Sequence, residues 1–382
     1  MTGRRRVATV LLACAVIVAA ASAGPLRARA TNPRVRPCEM SAGALRDAAE
    51  RGLRYLVHAQ HADGSFVYLY EARTGRDAGD YNIPRHEGSA LVLAEGSRRL
   101  ANPEFGRAAA RALDWLERVT VADPIRGGTR VREDDAPGEI RLGTLGLGAV
   151  AWLAAGEAGA VDPARARAAA EGFGREILAM QRPSGQLAAI VPVAGGDDPA
   201  RRVLDFHPGE GTLALARLSR ATGEQLWFDA AVRSASFEVS LRRDAPAGRP
   251  DAWLPRAIAD LFEQSPDPRW PEAGRVLGRK LRAASPALPG TALGEANAAW
   301  ARLARAANEP AAEDEAFVAA LTSACIARGR QIDPSRASAL PDPVASLGGI
   351  PGDDEKLTIR IDTVQHAVGL WLVLAAFEDG TH

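Results

Sequence analysis

Apolar residues recur along the chain in pairs of helix-length segments. In each pair an Ala/Gly/Leu-rich segment comes first, and a more charged segment with one apolar face follows after a short break. A helix that is apolar all round is buried, whereas a helix with one apolar face lies half in solvent. The pattern therefore predicts a double layer of helices. The predicted pairs are 88–100 with 103–119, 142–155 with 163–181, 207–222 with 225–241, 253–264 with 268–284, and 292–307 with 312–328.

The first and last helical segments complement each other. Residues 41–60 form an amphipathic segment capped by Ser41, and no apolar partner precedes it. Residues 363–377 form an apolar segment with no charged partner after it. Together they would make a sixth pair and close the array into a ring, which an open solenoid does not require. The sequence thus predicts an all-α fold, an (α/α)6 barrel, as one domain over residues 41–380.

The first long loop carries a short β pattern. Phe66, Tyr68 and Tyr70 alternate with Val67 and Leu69, and a Gly-containing turn at 73–77 follows. Alternation of this kind is typical of a strand. We expect a small β-hairpin here.

The N-terminus has the zones of a secretory signal. Three arginines at 4–6 precede an apolar run at 7–21 and small residues at 21–23. Residues 1–30 are therefore interpreted as a signal peptide and 31–40 as a leader; alternatives are a retained anchor or lipidation of Cys14. Cleavage of the signal would leave two cysteines, Cys38 and Cys325, in an oxidising compartment, where they could form a disulfide. The alternative is that Cys325 is a free cysteine buried as a small apolar side chain.

Composition narrows the ligand class. Lys+Arg and Asp+Glu are both 47, so the formal net charge is +0. This balance provides no electrostatic footprint for nucleic acid. A neutral or weakly charged small ligand is favoured, and a membrane is a partner only if the N-terminal segment is retained.

Two stretches resemble a known superfamily. The run from Thr222 to Phe228, and the closing Gly348-Gly349-Ile350 with residues 360–366, resemble six-hairpin glycosidases and related α/α toroids, most of all the C-terminal domain of glucuronyl epimerases. The resemblance spans residues 41 to 378 and implies a carbohydrate-active protein. The Cys/Cys/His zinc set of the related lantibiotic cyclases is missing, so we expect neither a metal nor a cofactor.

Polar residues cluster where the predicted inner helices begin. In a ring of hairpins these helix starts gather at one mouth, with their free N–H groups pointing into it. The run 79–87, with Pro84 suited to a first helical turn, is the densest. The residues concerned are Asp80, Tyr81, Asn82, Arg85, His86, Glu87, Glu139, Arg141, Asp205, His207, Glu210, Asp251, Trp253, Glu295, Asn297, Arg360, Asp362, Gln365 and His366.

Two enzymatic chemistries suit this set: hydrolysis of a poly- or oligosaccharide in the barrel mouth, which we expect first, and a uronate-directed lyase or epimerase reaction as the alternative. Glycoside hydrolysis needs a protonated and an ionised carboxyl, which Asp80, Glu87, Glu139, Glu210 and Asp362 could supply. Lyase or epimerase chemistry needs a Tyr or His base and a neutralising Asn or Arg. We assign catalytic roles to Asp80, Tyr81, Arg85, His86, Glu87, Glu210, Asp362 and His366, and substrate binding to Tyr68, Asn82, Glu139, Arg141, His207, Asp251, Trp253, Asn297, Arg360 and Gln365.

Simpler roles exist for several of these residues. Asp205, Asp251 and Asp362 stand where helix caps stand, and the two histidines at 86 and 366 could be structural. A non-catalytic protein that binds sugar or peptide on Tyr68, Tyr70 and Trp253 is the third reading. The central expectation is that the starts of the first and last inner helices, with Arg85, His86 and Glu87 on one and Arg360, Asp362 and His366 on the other, face each other across the mouth.

Overall fold

A computed structural model describes residue 38 and residues 40–79, 81–135, 137–194, 206–244, 251–284 and 290–380. The chain separates into two units, Met1–Pro37 and Cys38–His382, according to which residues lie close to one another. The expected signal peptide and most of the leader lie outside the described residues.

The described residues of the unit Cys38–His382 form six helical hairpins. The inner helices are α2 (Ile83–Arg99), α4 (Leu142–Glu157), α6 (His207–Thr222), α8 (Trp253–Gln264), α10 (Thr291–Ala306) and α14 (Ile361–Asp379). The outer helices are α1 (Ala42–His58), α3 (Pro103–Val119), α5 (Pro163–Ala179), α7 (Gln225–Asp244), α9 (Arg269–Ala284) and α11 (Pro310–Arg330). Two short helices, α12 (Pro334–Ala337) and α13 (Pro343–Ser346), lie in the last connection.

The ring of inner helices is closed, as predicted. Each inner helix packs against the next in the order α2, α4, α6, α8, α10, α14, and α14 packs back on α2. Helix α1 packs on α14, so the two unpaired segments at the chain ends form the sixth hairpin. The helix α4 is buried over nearly its whole length, whereas α3 buries one face. In this order α2 lies opposite α8, which matters for the lumen.

Capping residues explain where the helices start. Ser41 Oγ accepts a hydrogen bond from Ala44 N at 3.2 Å and begins α1. Asn82 Oδ1 accepts one from Arg85 N at 3.2 Å and begins α2 at Ile83. The predicted apolar segment began at Gly88, five residues after the observed start of α2, because the polar residues at 85–87 interrupt the apolar pattern in the first turn. Asn82 is the cap, and Pro84 occupies the first turn, where no N–H is needed.

Short antiparallel strands line the loops at the helix starts. The strand β1 (Leu69–Glu71) pairs with β2 (Arg76–Asp77), which confirms the predicted hairpin. The same strand pairs with β7 (Thr358–Arg360), and this joins the first and last long loops. The other pairs are β3 (Thr120–Ala122) with β4 (Thr129–Val131), and β5 (Glu139–Arg141) with β6 (Ile190–Pro192).

A disulfide joins Cys38 to Cys325, as expected, and fixes the residue before the first hairpin to the outer helix α11. The two Cα atoms are 6.3 Å apart, within the usual range for such a bond. Among the described residues, no helix has the length and apolar character needed to cross a membrane.

Candidate active site

The starts of the first and last inner helices meet at the mouth. Arg85 Nε donates to Asp362 Oδ2 at 2.9 Å, and Arg360 donates to both carboxylate oxygens of Asp362 at 3.0 and 2.9 Å. Arg85 also donates to the hydroxyl of Tyr68 at 2.5 Å, and its guanidinium lies 5.4 Å from the centre of the Tyr68 ring. We call Tyr68, Arg85, Arg360 and Asp362 the rim cluster. Its two guanidinium groups and one carboxylate leave one net positive charge.

One turn below the rim, His366 forms an ion pair inside the lumen. Its Nδ1 lies 2.5 Å from Glu295 Oε2 on the neighbouring helix α10, and its ring centre is 5.7 Å from that of Trp253 on α8. The His366 side chain is 19% exposed and Glu295 is buried. Burial acts to lower the pKa of His366, but the charge and hydrogen bond of Glu295 outweigh it and raise this pKa. We call this pair the lumen dyad.

Buried ion pairs close the lumen beneath the dyad. Arg256 on α8 donates to Glu95 on α2 at 3.0 Å, so this bond spans the lumen between opposite helices. Arg217 on α6 lies 3.5 Å from Glu95 and 3.3 Å from Asp260. We call Glu95, Arg217, Arg256 and Asp260 the floor. Each acid faces arginine, so burial of the charges is compensated within the cluster.

Glu87 and Glu210 do not face the lumen. Glu87 is fully buried next to Gly148 and Phe173, between the inner and outer layers, and both carboxyl oxygens lack a hydrogen-bond partner among the described residues. Glu210 lies buried against Gly143 of α4. Burial, reinforced by neighbouring carboxyls, raises the pKa of both well above the ordinary value. Neither carboxyl is exposed to the lumen in the described structure, so the catalytic roles assigned to Glu87 and Glu210 from sequence gain no support from it.

His86 also points away from the mouth. Its Nε2 donates to the carbonyl of Ala112 on the outer helix α3 at 2.9 Å, and the hydroxyl of Tyr81 donates to Nδ1 at 2.7 Å. Phe66 and Trp115 pack on the ring. Burial lowers the pKa of His86 to about 4. The structure thus gives His86 and Tyr81 a packing role, because position 86 falls on the outward face of α2.

Most other candidates are engaged in local structure. Asp251 Oδ1 caps α8 through the N–H of Trp253 at 2.8 Å, and Asn297 donates to Leu293 O at 2.9 Å within α10. Gln365 is buried where Gly88 leaves space between α2 and α14. Asn82 is a cap, as described above, and Asp80 and Asp205 lie outside the described residues.

Glu139, Arg141 and His207 form a separate group beside α4. Arg141 lies 2.9 Å from Glu133 and 3.8 Å from Glu139. Burial lowers the pKa of His207 to about 4, and its ring packs near Gly143. In the part of the chain that the structure describes, no three His, Cys, Asp or Glu side chains are arranged to hold a metal ion. Of the site residues predicted from sequence, the structure brings Tyr68, Arg85, Arg360 and Asp362 together at the mouth and places His366 beside Trp253.

The sequence reading gave Glu295 no role and overlooked the floor. Glu95, Arg217 and Asp260 lie beyond the first turn of their helices and Arg256 at the end of a first turn, away from the loops and helix starts where the predicted site residues cluster. Arg256 and Asp260 are four residues apart in an otherwise apolar segment, so they lie on one helix face. That spacing was the available signal.

The chain is similar to known proteins in its three-dimensional structure but not in its sequence. No protein-family model and no curated protein matches the sequence. The crystal structure of D-mannose isomerase is 12% identical, with a TM-score of 0.64 over 91% of this chain and 100% of that one. The family 76 α-mannanase of Bacteroides thetaiotaomicron is 10% identical, with a TM-score of 0.62 over 88% and 96%. The cellobiose 2-epimerase of Bacillus thermoamylovorans is 10% identical, with a TM-score of 0.64 over 88% and 99%.

These similarities confirm the predicted fold. The chain has the six-hairpin (α/α)6 architecture shared by these sugar-processing proteins, in line with the resemblance read from sequence. At such low identity the likeness defines the fold and leaves the reaction to be argued from the site.

Proposed function

We propose that the protein is a carbohydrate-active enzyme that moves a proton on a sugar, with His366 as the acid/base group. The observation that carries this proposal is the lumen dyad, His366 with Glu295, beside Trp253. The sequence left lyase or epimerase chemistry as an alternative to hydrolysis, and sugar isomerisation begins with the same proton abstraction. It is favoured because His366 reaches the lumen, whereas Glu87 and Glu210 are shut away from it.

The dyad prepares His366 for proton transfer. Glu295 accepts the hydrogen bond from Nδ1, so when the ring is neutral the lone pair lies on Nε2, which has no hydrogen-bond partner among the described residues. Nε2 would take a proton from a carbon next to a carbonyl or carboxylate, and the C–H electron pair would move into an enolate. The arginines of the rim cluster would stabilise its negative charge. Return of the proton to the neighbouring carbon, with the hydroxyl proton moving from one sugar oxygen to the other, completes isomerisation. Return to the original carbon, after the enolate has turned its other face towards Nε2, completes epimerisation.

The floor limits the substrate to a short one. The Arg256–Glu95 bond crosses the lumen under the dyad, so a sugar entering at the mouth has no exit at the other end. Trp253 is buried beside the His366 ring and forms an apolar wall next to the dyad. We therefore propose a free mono- or disaccharide, or the end of a longer chain, as the ligand.

Export is proposed on two grounds. The N-terminal residues have the zones of a signal peptide, and the Cys38–Cys325 disulfide suits an oxidising compartment. Detection of the mature chain in the periplasmic or medium fraction, with its N-terminus sequenced, tests this point.

Product analysis tests the function. Purified protein is incubated with D-mannose, cellobiose and a uronate-containing disaccharide, and products are separated by chromatography. We expect an epimer or isomer of unchanged mass from one class of sugar and none with His366→Gln. New reducing ends would favour hydrolysis. Saturable binding without any product would favour a binding protein.

A further inference from the structure

Arg256 contacts the parts of the proposed site from below. It lies 3.0 Å from Glu95 Oε1 and 3.9 Å from Glu295 Oε1, and its guanidinium carbon is 5.2 Å from the centre of the Trp253 ring. One buried guanidinium therefore contacts Glu295, which is the partner of His366, the buried Trp253 ring and Glu95 on the opposite helix α2.

The charge of Arg256 is balanced mainly by Glu95. Glu95 is half-buried on α2 and faces both Arg256 and Arg217, so it is shared by two guanidinium groups. Arg217 is in turn held by Asp260. Glu95 is thus the only carboxylate of the floor that Arg256 contacts within the described residues, and without it the guanidinium would be drawn towards Glu295.

We propose that Arg256 and Glu95 act as a positioning pair, which holds Glu295 and Trp253 in place for His366 and sets how strongly Glu295 binds the imidazole. This inference rests on the proposed function for its catalytic meaning. Neither residue is required to touch the sugar. The ion pair with Glu95 keeps the Arg256 guanidinium from forming a closer ion pair with Glu295, so the Glu295 carboxylate remains bonded to His366.

Three charged side chains lie close enough to His366 to act on the pKa of its ring. Glu295 faces it from α10, Arg256 from α8, and Asp362 lies one turn before it on its own helix. Arg85 on α2 and Arg360 on β7 reach His366 only through Asp362. A change at Glu95 leaves these rim contacts intact, so its effect must pass through Arg256.

Titration of the histidine ring tests the positioning pair without any sugar. The chain has six histidines, so nitrogen-15-labelled full-length protein gives a small set of imidazole signals, with His366→Gln assigning one of them. For Glu95→Gln we expect the pKa of His366 to fall by roughly 0.5–1, because the released Arg256 competes for Glu295. For Glu95→Gln combined with Arg256→Gln we expect it to rise above the wild-type value, because the cation is gone.

The matched control is Glu176→Gln on the outer helix α5. Glu176 is also buried and lies 3.4 Å from Arg126, which pairs with Asp123 rather than with a residue of α8, α10 or α14. It should leave the titration of His366 unchanged. A merely structural floor would lower the melting temperature in the variants without moving the His366 pKa in opposite directions. An unchanged His366 pKa in both floor variants, or an equal change in the control, would overturn the proposal.

This readout is independent of the proposed function. If the pKa of His366 moves as expected but His366→Gln retains turnover, the positioning pair stands and the proposed catalytic role of His366 fails. If His366→Gln abolishes turnover but the floor variants titrate as wild type, the function stands and the positioning pair fails.

Discussion

Two histidines begin neighbouring inner helices, yet they occupy opposite environments. His86 lies on the outward face of α2, with both ring nitrogens bonded to Tyr81 and Ala112 and its pKa lowered to about 4. His366 lies on the inward face of α14, bonded to Glu295, with its pKa raised. The difference arises from helical phase, because consecutive residues on a helix point about 100° apart. Nearness to a helix start does not by itself place a side chain in the mouth.

The largest expected effect is a loss of turnover, which we expect from a substitution at His366 and not from one at His86. His366→Gln should reduce turnover by about 10²–10⁴-fold, the usual contribution of an acid/base group, while the melting temperature stays close to wild type. Steady-state rates on the sugar found by product analysis check this. Unimpaired turnover in a folded His366→Gln protein would remove His366 from the mechanism.

The second effect is on stability. His86→Ala should lower the free energy of unfolding by roughly 2–4 kcal/mol, because it leaves a cavity among Phe66, Tyr81 and Trp115 and strips the Ala112 carbonyl of its donor. Turnover per folded molecule should persist. Urea unfolding combined with rates measured at low denaturant distinguishes this outcome from a catalytic role for His86.

A third effect concerns Glu87, which follows His86 on α2 and faces away from the lumen. The pKa of Glu87 is raised in the folded state, so the unfolded chain releases the Glu87 proton at a lower pH than the folded chain does. The contribution of Glu87 to the free energy of unfolding is therefore complete below its ordinary pKa and is lost as the pH rises through its folded-state pKa. Glu87→Gln should remove that loss, which amounts to about 1.4 kcal/mol for each pH unit that separates the folded-state from the unfolded-state pKa. Unfolding free energies at about pH 5 and about pH 8, with the exposed Glu104→Gln as control, measure it.

The smallest effect concerns Asn82, which the sequence suggested as a ligand-binding residue. Asn82→Ala should cost about 1 kcal/mol of stability through loss of the α2 cap and leave the Michaelis constant unchanged. Asn82→Asp, which keeps the cap, should restore the melting temperature. A raised Michaelis constant in both variants would instead assign Asn82 to the site.

The fold was predictable because its signals are repeated. Alternating apolar and one-sided helices indicated the double layer, and the unmatched segments at 41–60 and 363–377 indicated closure. The disulfide followed from the two cysteines that lie outside the expected signal peptide. These features depend on periodicity and pairing, which a single sequence displays.

The site was predictable only in part. The meeting of Arg85 with Asp362 followed from the closed ring, because the first and last inner helices had to be neighbours. The outward phase of His86 and Glu87 did not follow, because the start of α2 was placed five residues late. The bond from Arg256 to Glu95 joins residues 161 positions apart across the barrel, and nothing local indicates such a pairing.

The central claim is that the lumen dyad moves a proton between His366 and a sugar carbon. The most direct measurement is to run the reaction in heavy water with each sugar of the panel and to follow the product by proton and deuterium NMR. The account predicts deuterium at one sugar carbon with the wild-type protein and none with His366→Gln. Sugar turnover in which no carbon gains deuterium and only glycosidic bonds are cleaved would contradict it.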